Sequence, residues 1–191
     1  MLLLQEKILE LSTVPREGIL KVDNFLNHII DPQLMLAIGK ELALRFKDSN
    51  IDKVLTLEAS GIAPALGVAL ELNVPLLFAK KSLPSTMAEG YSTKIYSFTK
   101  NKDYDIFVSK EYIKKDENIL IIDDFLAMGH AVLGMQKLII MGKANCIGVG
   151  IVIEKSFQSG RQTLVDQGIH LESLVRLKSV APPHNIQFIT E

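Results

Sequence analysis

The stretch Ile119–Gly134, ILIIDDFLAMGHAVLG, decides how the chain is read. Four apolar residues run into two adjacent aspartates, Asp123 and Asp124, and a small-residue turn, AMGHA (127–131), follows. The apolar run predicts a buried strand. The residues after the turn predict a helix over AVLGMQKLIIMG, capped by Gly142. At such a strand-to-helix turn, backbone N–H groups face solvent and the helix dipole adds partial positive charge, so the turn can hold a phosphate. Gly129 permits close backbone approach. Adjacent strand side chains point to opposite sides, so Asp123 and Asp124 are not expected to ligate one metal together. They can accept hydrogen bonds from neighbouring hydroxyls, as on a ribose ring. Phosphate at the turn and sugar at the carboxylates describe a phosphorylated pentose. An Asp-Asp pair taken alone is more often a solvated turn with a capping aspartate.

Elsewhere the chain alternates two periods. Leu4, Ile8, Leu9 and Leu11 predict a short amphipathic helix over 2–12. Asp31 suits an N-cap and Pro32 the first helical position, so a second helix is expected from there to about Lys47. VLTLE (54–58), VPLLFAKK (74–81), ILIIDD (119–124) and ANCIGVGIVIEK (144–155) read as short, mostly apolar strands. Helical spacing returns over ASGIAPALGVALELN, up to Asn73. SLPSTMAEGYST (82–93) carries the turn formers Pro84 and Gly90 and reads as a mobile loop. STKIYSFTK and DIFVSK alternate as strands. A short helix over 161–168 stops at Gly168, and IHLESLVRL and NIQFIT are the last strands. Strands alternating with helices, several nearly all apolar, predict an α/β fold with a mostly parallel sheet covered on both faces. Four strands end in charge: in Glu58, in Lys80-Lys81, in Asp123-Asp124 and in Glu154-Lys155. Ligands of open α/β sheets sit beyond the carboxyl edge of the strands, so these ends together mark a site.

Composition bounds the rest. The 191 residues are 48% hydrophobic, enough for one sizeable core and one domain. With 21 basic and 22 acidic residues the formal charge is −1, so no global field favours nucleic acid or an anionic membrane. Cys146 is the only cysteine, which excludes an intrachain disulfide and a Cys-based zinc site and fits a reducing, cytoplasmic setting. In its strand it reads as a small hydrophobe. The start, MLLLQEKILELS, is too short in apolar content for a signal peptide, and no run of about 18 apolar residues spans a membrane. His28 and His170 read as structural or solvated, and His184 as part of a surface turn beside Pro182 and Pro183.

ILIIDDFLAMGHA resembles the phosphoribosyl pyrophosphate signature of type I phosphoribosyltransferases. ILKVDNFLNHIIDP (19–32), TLEASGIAPAL (56–66), VPLLFAKK, YSFTKNK (96–102) and GVGIVIEKSFQSGR (148–161) are similar, in order and spacing, to segments of the xanthine phosphoribosyltransferases. The resemblance covers essentially the whole chain. It implies the type I fold: a mostly parallel central sheet flanked by helices, in a single domain over 1–191. A small hood would be built mainly by about 1–31 and about 156–191.

The resemblance implies transfer of the 5-phosphoribosyl group of phosphoribosyl pyrophosphate to N9 of xanthine, in purine salvage. Residues 127–131 (Ala127, Met128, Gly129, His130, Ala131) would hold the 5-phosphate, and Asp123 and Asp124 would engage the ribose hydroxyls as the catalytic pair. Ala59, Ser60 and Gly61 match the pyrophosphate loop, at another strand-to-helix turn. Lys80 and Lys81 open the mobile loop and would cover the pyrophosphate, excluding water on closure. Magnesium would be carried mainly by the pyrophosphate and water, with no direct side-chain ligand expected. Positions matching Leu20, Asn27 and Lys155 bind the base in similar enzymes. Lysine would donate to a xanthine carbonyl, Asn27 would donate or accept, Leu20 would form an apolar lid, and Phe157 would stack on the ring. Glu58 reads as pairing with a lysine in preference to helping hold magnesium. A homodimer is the usual family assembly.

Two residues depart from the pattern. Met128 stands where a hydroxyl or amide residue is usual and donates nothing from its side chain, and His130 stands where a small or polar residue is common. One lost bond to a charged group, about 1.5–3 kcal/mol, would weaken phosphoribosyl pyrophosphate binding tenfold or more, and a protonated His130 would offset part of that. Two other readings compete: a phosphoribosyl pyrophosphate-sensing regulator without transferase activity, and a transferase for another purine such as adenine. The first lacks a DNA-binding module in this chain, which has neither a helix-turn-helix nor a basic stripe. Asn27 and Lys155 speak against the second.

Overall fold

The computed structural model describes residues 1–83, 89–97 and 102–190. Helix α1 (Leu2–Leu11) buries Leu4 and Ile8 on one face. A two-stranded antiparallel ribbon follows, β1 (Thr13–Arg16) and β2 (Ile19–Lys21). Its turn needs Gly18, whose φ is +71°. The sequence reading has neither strand. One wide helical turn over Asp23–Asn27 then buries Phe25 and Leu26. Helix α2 (Pro32–Arg45) begins as expected, with the Asp31 carboxylate accepting the Gln33 and Leu34 N–H groups at 3.0 and 3.1 Å.

From here strands and helices alternate. In order come β3 (Lys53–Leu57), α3 (Ile62–Leu72), β4 (Leu76–Ala79), the antiparallel hairpin β5 (Gly90–Ser97) and β6 (Lys102–Ser109), β7 (Asn118–Leu126) and α4 (His130–Met141). The chain closes with β8 (Asn145–Lys155), α5 (Gly160–Val165), β9 (Leu171–Ala181) and β10 (Asn185–Phe188). Part of the expected loop over 82–93 lies outside the described residues, and from Gly90 onward that stretch is already strand. Asn73 ends α3 in the left-handed conformation. After α4, Gly142 stays right-handed and Lys143 takes the positive φ. Gly142 is small for a packing reason, because a Cβ there would sit 2.2 Å from Ile113 Cγ2.

The six-stranded sheet runs β10-β9-β8-β7-β3-β4, parallel except for β10. Alternate residues of β7 enter different cores. Leu120 and Ile122 join Leu34, Ile38 and Leu42 of α2 and Val68 of α3, while Ile119 and Ile121 join Met135, Leu138 and Ile139 of α4. Both faces are therefore covered, which is why these strands read as continuous apolar runs. Ile95 of β5 and Ile106 and Val108 of β6 are buried in the second core, so the hairpin lies over α4. The strand expected to stop at Asp124 continues to Leu126, because Phe125 and Leu126 still pair with Ile153 and Glu154. As β4, β3, β7 and β8 are parallel neighbours, their four charged ends do share one edge.

Helices α2 and α3 approach backbone to backbone, and a Cβ built at Gly39 would lie 2.3 Å from the Gly67 carbonyl carbon. Gly39→Ala is therefore expected to lower the unfolding free energy by about 1–3 kcal/mol, read from urea denaturation. An unchanged midpoint would show that the helices separate freely.

Candidate active site

The turn 127–131 forms as the sequence implies. Gly129 caps α4 with φ +85°, so the first N–H groups of the helix are left for an external acceptor. A pocket of about 170 Å³ opens there, lined by Asp123, by residues 125–132 and by Tyr96 from the hairpin. Helix α5 braces the turn from behind: the Gly160 N–H donates to the Ala127 carbonyl at 3.0 Å, and a Cβ on Gly160 would fall 2.3 Å from that oxygen. Met128 is engaged elsewhere, its sulfur accepting from the Ser159 hydroxyl at 3.6 Å.

Asp123 is buried and Asp124 partly exposed. The Asp123 Oδ1 accepts the Asp124 N–H at 3.1 Å. Burial first, and then the neighbouring Asp124 charge, push the Asp123 carboxyl well above the usual carboxylate range. Burial also raises Asp124. The Lys81 charge opposes both shifts, so this ammonium lies within electrostatic reach of the pair. Lys80 has different neighbours. Its ammonium sits 5.8 Å from the Phe78 ring, and its backbone bridges to Phe107 of β6. The Lys81 ammonium is 5.8 Å from the Tyr104 ring, and burial together with the Asp123 charge raises the Tyr104 phenol.

The turn over Ala59, Ser60 and Gly61 abuts the same carboxylate. A Cβ on Gly61 would meet Thr56 Oγ1 at 2.2 Å and Asp123 Oδ1 at 3.1 Å, so only glycine lets the turn close on the pair. The Glu58–Ala59 peptide is cis. Contrary to the expected pairing, among the described residues Glu58 meets no lysine ammonium and accepts instead the backbone N–H of Lys81 at 2.6 Å. This bond ties the 59–61 turn to the segment that carries Lys81.

On the other side of the doublet, the Lys155 ammonium donates to the Gly18 carbonyl at 2.9 Å and lies 5.4 Å from the centre of the Phe125 ring. Burial lowers its pKa. Phe157 is 40% exposed and faces Gly18, so the β1–β2 turn, Lys155 and both phenylalanines gather together. Asn27 is exposed at the end of its helical turn. Leu20 corrects an expectation: its side chain is buried in the main core, because β2 is a packed strand, and it forms no open lid. Phe125 was missed. Its one signal is an aromatic residue directly after the doublet, and it touches both the phosphate-turn pocket and Lys155.

Glu154 leaves the group of charged ends. It is fully buried and accepts from Ser156, from Arg161 at 2.7–2.9 Å, from Ser173 at 2.6 Å and from Arg176 at 3.3 Å. Burial pushes its carboxyl upward, but hydrogen bonds from Arg161, Ser156 and Ser173 overcome this and hold it below its usual value. It anchors the end of β8 and does not face the pocket.

A raised carboxyl pKa favours the protonated form in the folded state. Ionised Asp123 therefore penalises folding at neutral pH, and the penalty fades as pH falls through its folded pKa. Asp123→Asn is expected to raise the denaturation midpoint at pH 7, with the difference vanishing below the ordinary carboxyl value of 3.8. Equal midpoints at neutral pH would show that the ionised carboxylate costs the fold nothing.

A phosphoribosyl transferase domain model matches residues 27–172. A xanthine phosphoribosyltransferase of Macrococcus caseolyticus is 52% identical over 93% of this chain and 92% of its own length. One from Moorella thermoacetica is 53% identical over 94% of this chain and 92% of its own. Among solved structures, an adenine phosphoribosyltransferase from Thermoanaerobacter pseudethanolicus superposes with a TM-score of 0.76 over 91% of this chain and 99% of its own, at 22% identity, a likeness of fold. The chain belongs to the phosphoribosyltransferase family and has its type I fold.

Proposed function

We propose that the chain transfers the 5-phosphoribosyl group from phosphoribosyl pyrophosphate to N9 of xanthine, giving xanthosine 5′-monophosphate and pyrophosphate, in purine salvage. The observation that carries this reading is Phe125, which lines the phosphate-turn pocket and lies against the Lys155 ammonium. A sugar phosphate and a base would thus meet across one side chain, with the doublet between them. Similarity above 50% to proteins named for this activity supports the choice of base.

In this reading the N–H groups of 127–131 bind the 5-phosphate, and the carboxylates accept the ribose hydroxyls. The 59–61 turn and Lys81 bind the departing pyrophosphate. As N9 forms its bond to C1′, the bond from C1′ to the pyrophosphate oxygen breaks and positive charge develops on the sugar ring. The doublet, with Asp123 buried where water screens poorly and Asp124 beside it, stabilises that charge. Magnesium would be carried mainly by the pyrophosphate and by its own water, as suits a cation slow to dehydrate, with no direct side-chain ligand. When bound, it would neutralise the leaving group.

Xanthine presents carbonyls at C2 and C6, and a partly buried ammonium left unpaired by the wrong base is costly. Discrimination against adenine, which lacks both carbonyls, would reach about 10⁴-fold. A homodimer is also part of the proposal. Helices α2 and α3 leave an apolar groove of about 560 Å³, lined by Ile30, Leu36, Leu66 and Leu70 among others, which a second copy would cover. The groove reaches Ala59, so that copy would stand beside the pyrophosphate turn. Light scattering giving the mass of one chain at micromolar concentration would remove this part. A cytoplasmic setting completes the reading.

The central test is turnover with xanthine, guanine, hypoxanthine and adenine, each with phosphoribosyl pyrophosphate and magnesium. Xanthine is expected to be used best. Lys155→Ala is expected to raise the xanthine KM at least tenfold while moving the phosphoribosyl pyrophosphate KM by less than about threefold. Equal rises would disprove the base assignment, and binding of phosphoribosyl pyrophosphate with no turnover on any base would favour a sensor.

A further inference from the structure

The pocket at 127–131 draws its lining from Asp123 and residues 125–132 with one exception, Tyr96 of β5. The Tyr96 and His130 rings meet edge to face, with centroids 5.9 Å apart and planes at 77°. This is a favoured arrangement for aromatic pairs. Tyr96 stands on a fixed base. Its neighbour Ile95 is buried against Gly134, where a Cβ would lie 2.3 Å from Ile95 Cγ2. Tyr96 itself remains 37% exposed above the first turn of α4. Met128 supplies no donor and is occupied with Ser159, so His130 is the residue of the turn whose side chain can donate to a phosphoryl oxygen.

We propose that Tyr96 is a positioning residue for the 5-phosphate turn: its ring braces the His130 imidazole over the turn, so that a phosphoryl group meets a donor already held in place. This rests on the reading of 127–131 as the 5-phosphate site. An unbraced imidazole loses rotamer freedom when it grips a ligand, whereas a ring already held loses less, and the difference appears as affinity.

The test is calorimetric titration of the full chain with ribose 5-phosphate and, separately, with pyrophosphate. Tyr96→Ala is expected to weaken ribose 5-phosphate binding by about three- to tenfold and to leave pyrophosphate binding within about twofold. His130→Ala should do the same, and the double variant should bind no more weakly than either single one. Tyr96→Phe, which keeps the ring, should stay close to the unaltered chain. Additive losses overturn the brace, as does equal weakening of pyrophosphate, unchanged ribose 5-phosphate binding in Tyr96→Ala, or a Tyr96→Phe variant as weak as Tyr96→Ala. If the unaltered chain binds pyrophosphate but not ribose 5-phosphate, the phosphate-turn reading itself falls and the brace falls with it.

Discussion

Parallel pairing of β4, β3, β7 and β8 is the constraint on which the site depends. It brings four strand ends, far apart in sequence, to one edge and sets two strand-to-helix turns there side by side. Hydrophobic pattern alone does not fix that register, since β7 is apolar on both faces and a one-residue slip would merely exchange one apolar set for another. Such a slip would also exchange Asp123 for Asp124. Glycine notches in β8 hold the alignment. A Cβ at Gly148 would lie 2.6 Å from Phe46 Cε1, and one at Gly150 2.6 Å from Ile122 Cδ1. Both neighbours are large and buried, so they fit only where β8 has no side chain.

Much of this was legible in the sequence, and its gaps have physical reasons. The apolar runs, the Asp31-Pro32 start and the doublet each express local chemistry, and local chemistry survives folding. The β1–β2 ribbon did not show, because TVPR is four residues long, contains proline and carries little alternation. Adjacent like residues misled for another reason. Glu154 and Lys155 read as one charged end, yet consecutive strand residues face opposite ways, so one enters a buried arginine network and the other reaches the β1–β2 turn. Lys80 and Lys81 divide similarly between Phe78 and the aspartate pair. For Leu20, an apolar letter at a matching position does not distinguish a pocket wall from ordinary core. The family resemblance singled out Leu20, Asn27 and Lys155, which composition and periodicity would not have done.

The edge concentrates groups that oppose folding. A carboxylate beside another carboxylate, and an ammonium taken partly out of water, are each disfavoured where they stand. The framework beneath them is correspondingly firm. Arg161 and Arg176 converge on Glu154 one residue before Lys155, and Gly160 locks against Ala127 one residue before Arg161. Groups disfavoured by their surroundings stay in place because their neighbours have little room to relax.

The bond from Lys155 to the Gly18 carbonyl has a consequence for whatever enters beside it. The ammonium is partly buried and the Gly18 oxygen satisfies it, so any group that takes the place of that oxygen must bring an acceptor of its own or leave a bare cation behind. The chain holds that oxygen in place through a single left-handed glycine, which makes the short β1–β2 ribbon a counterpart to the charged end of β8.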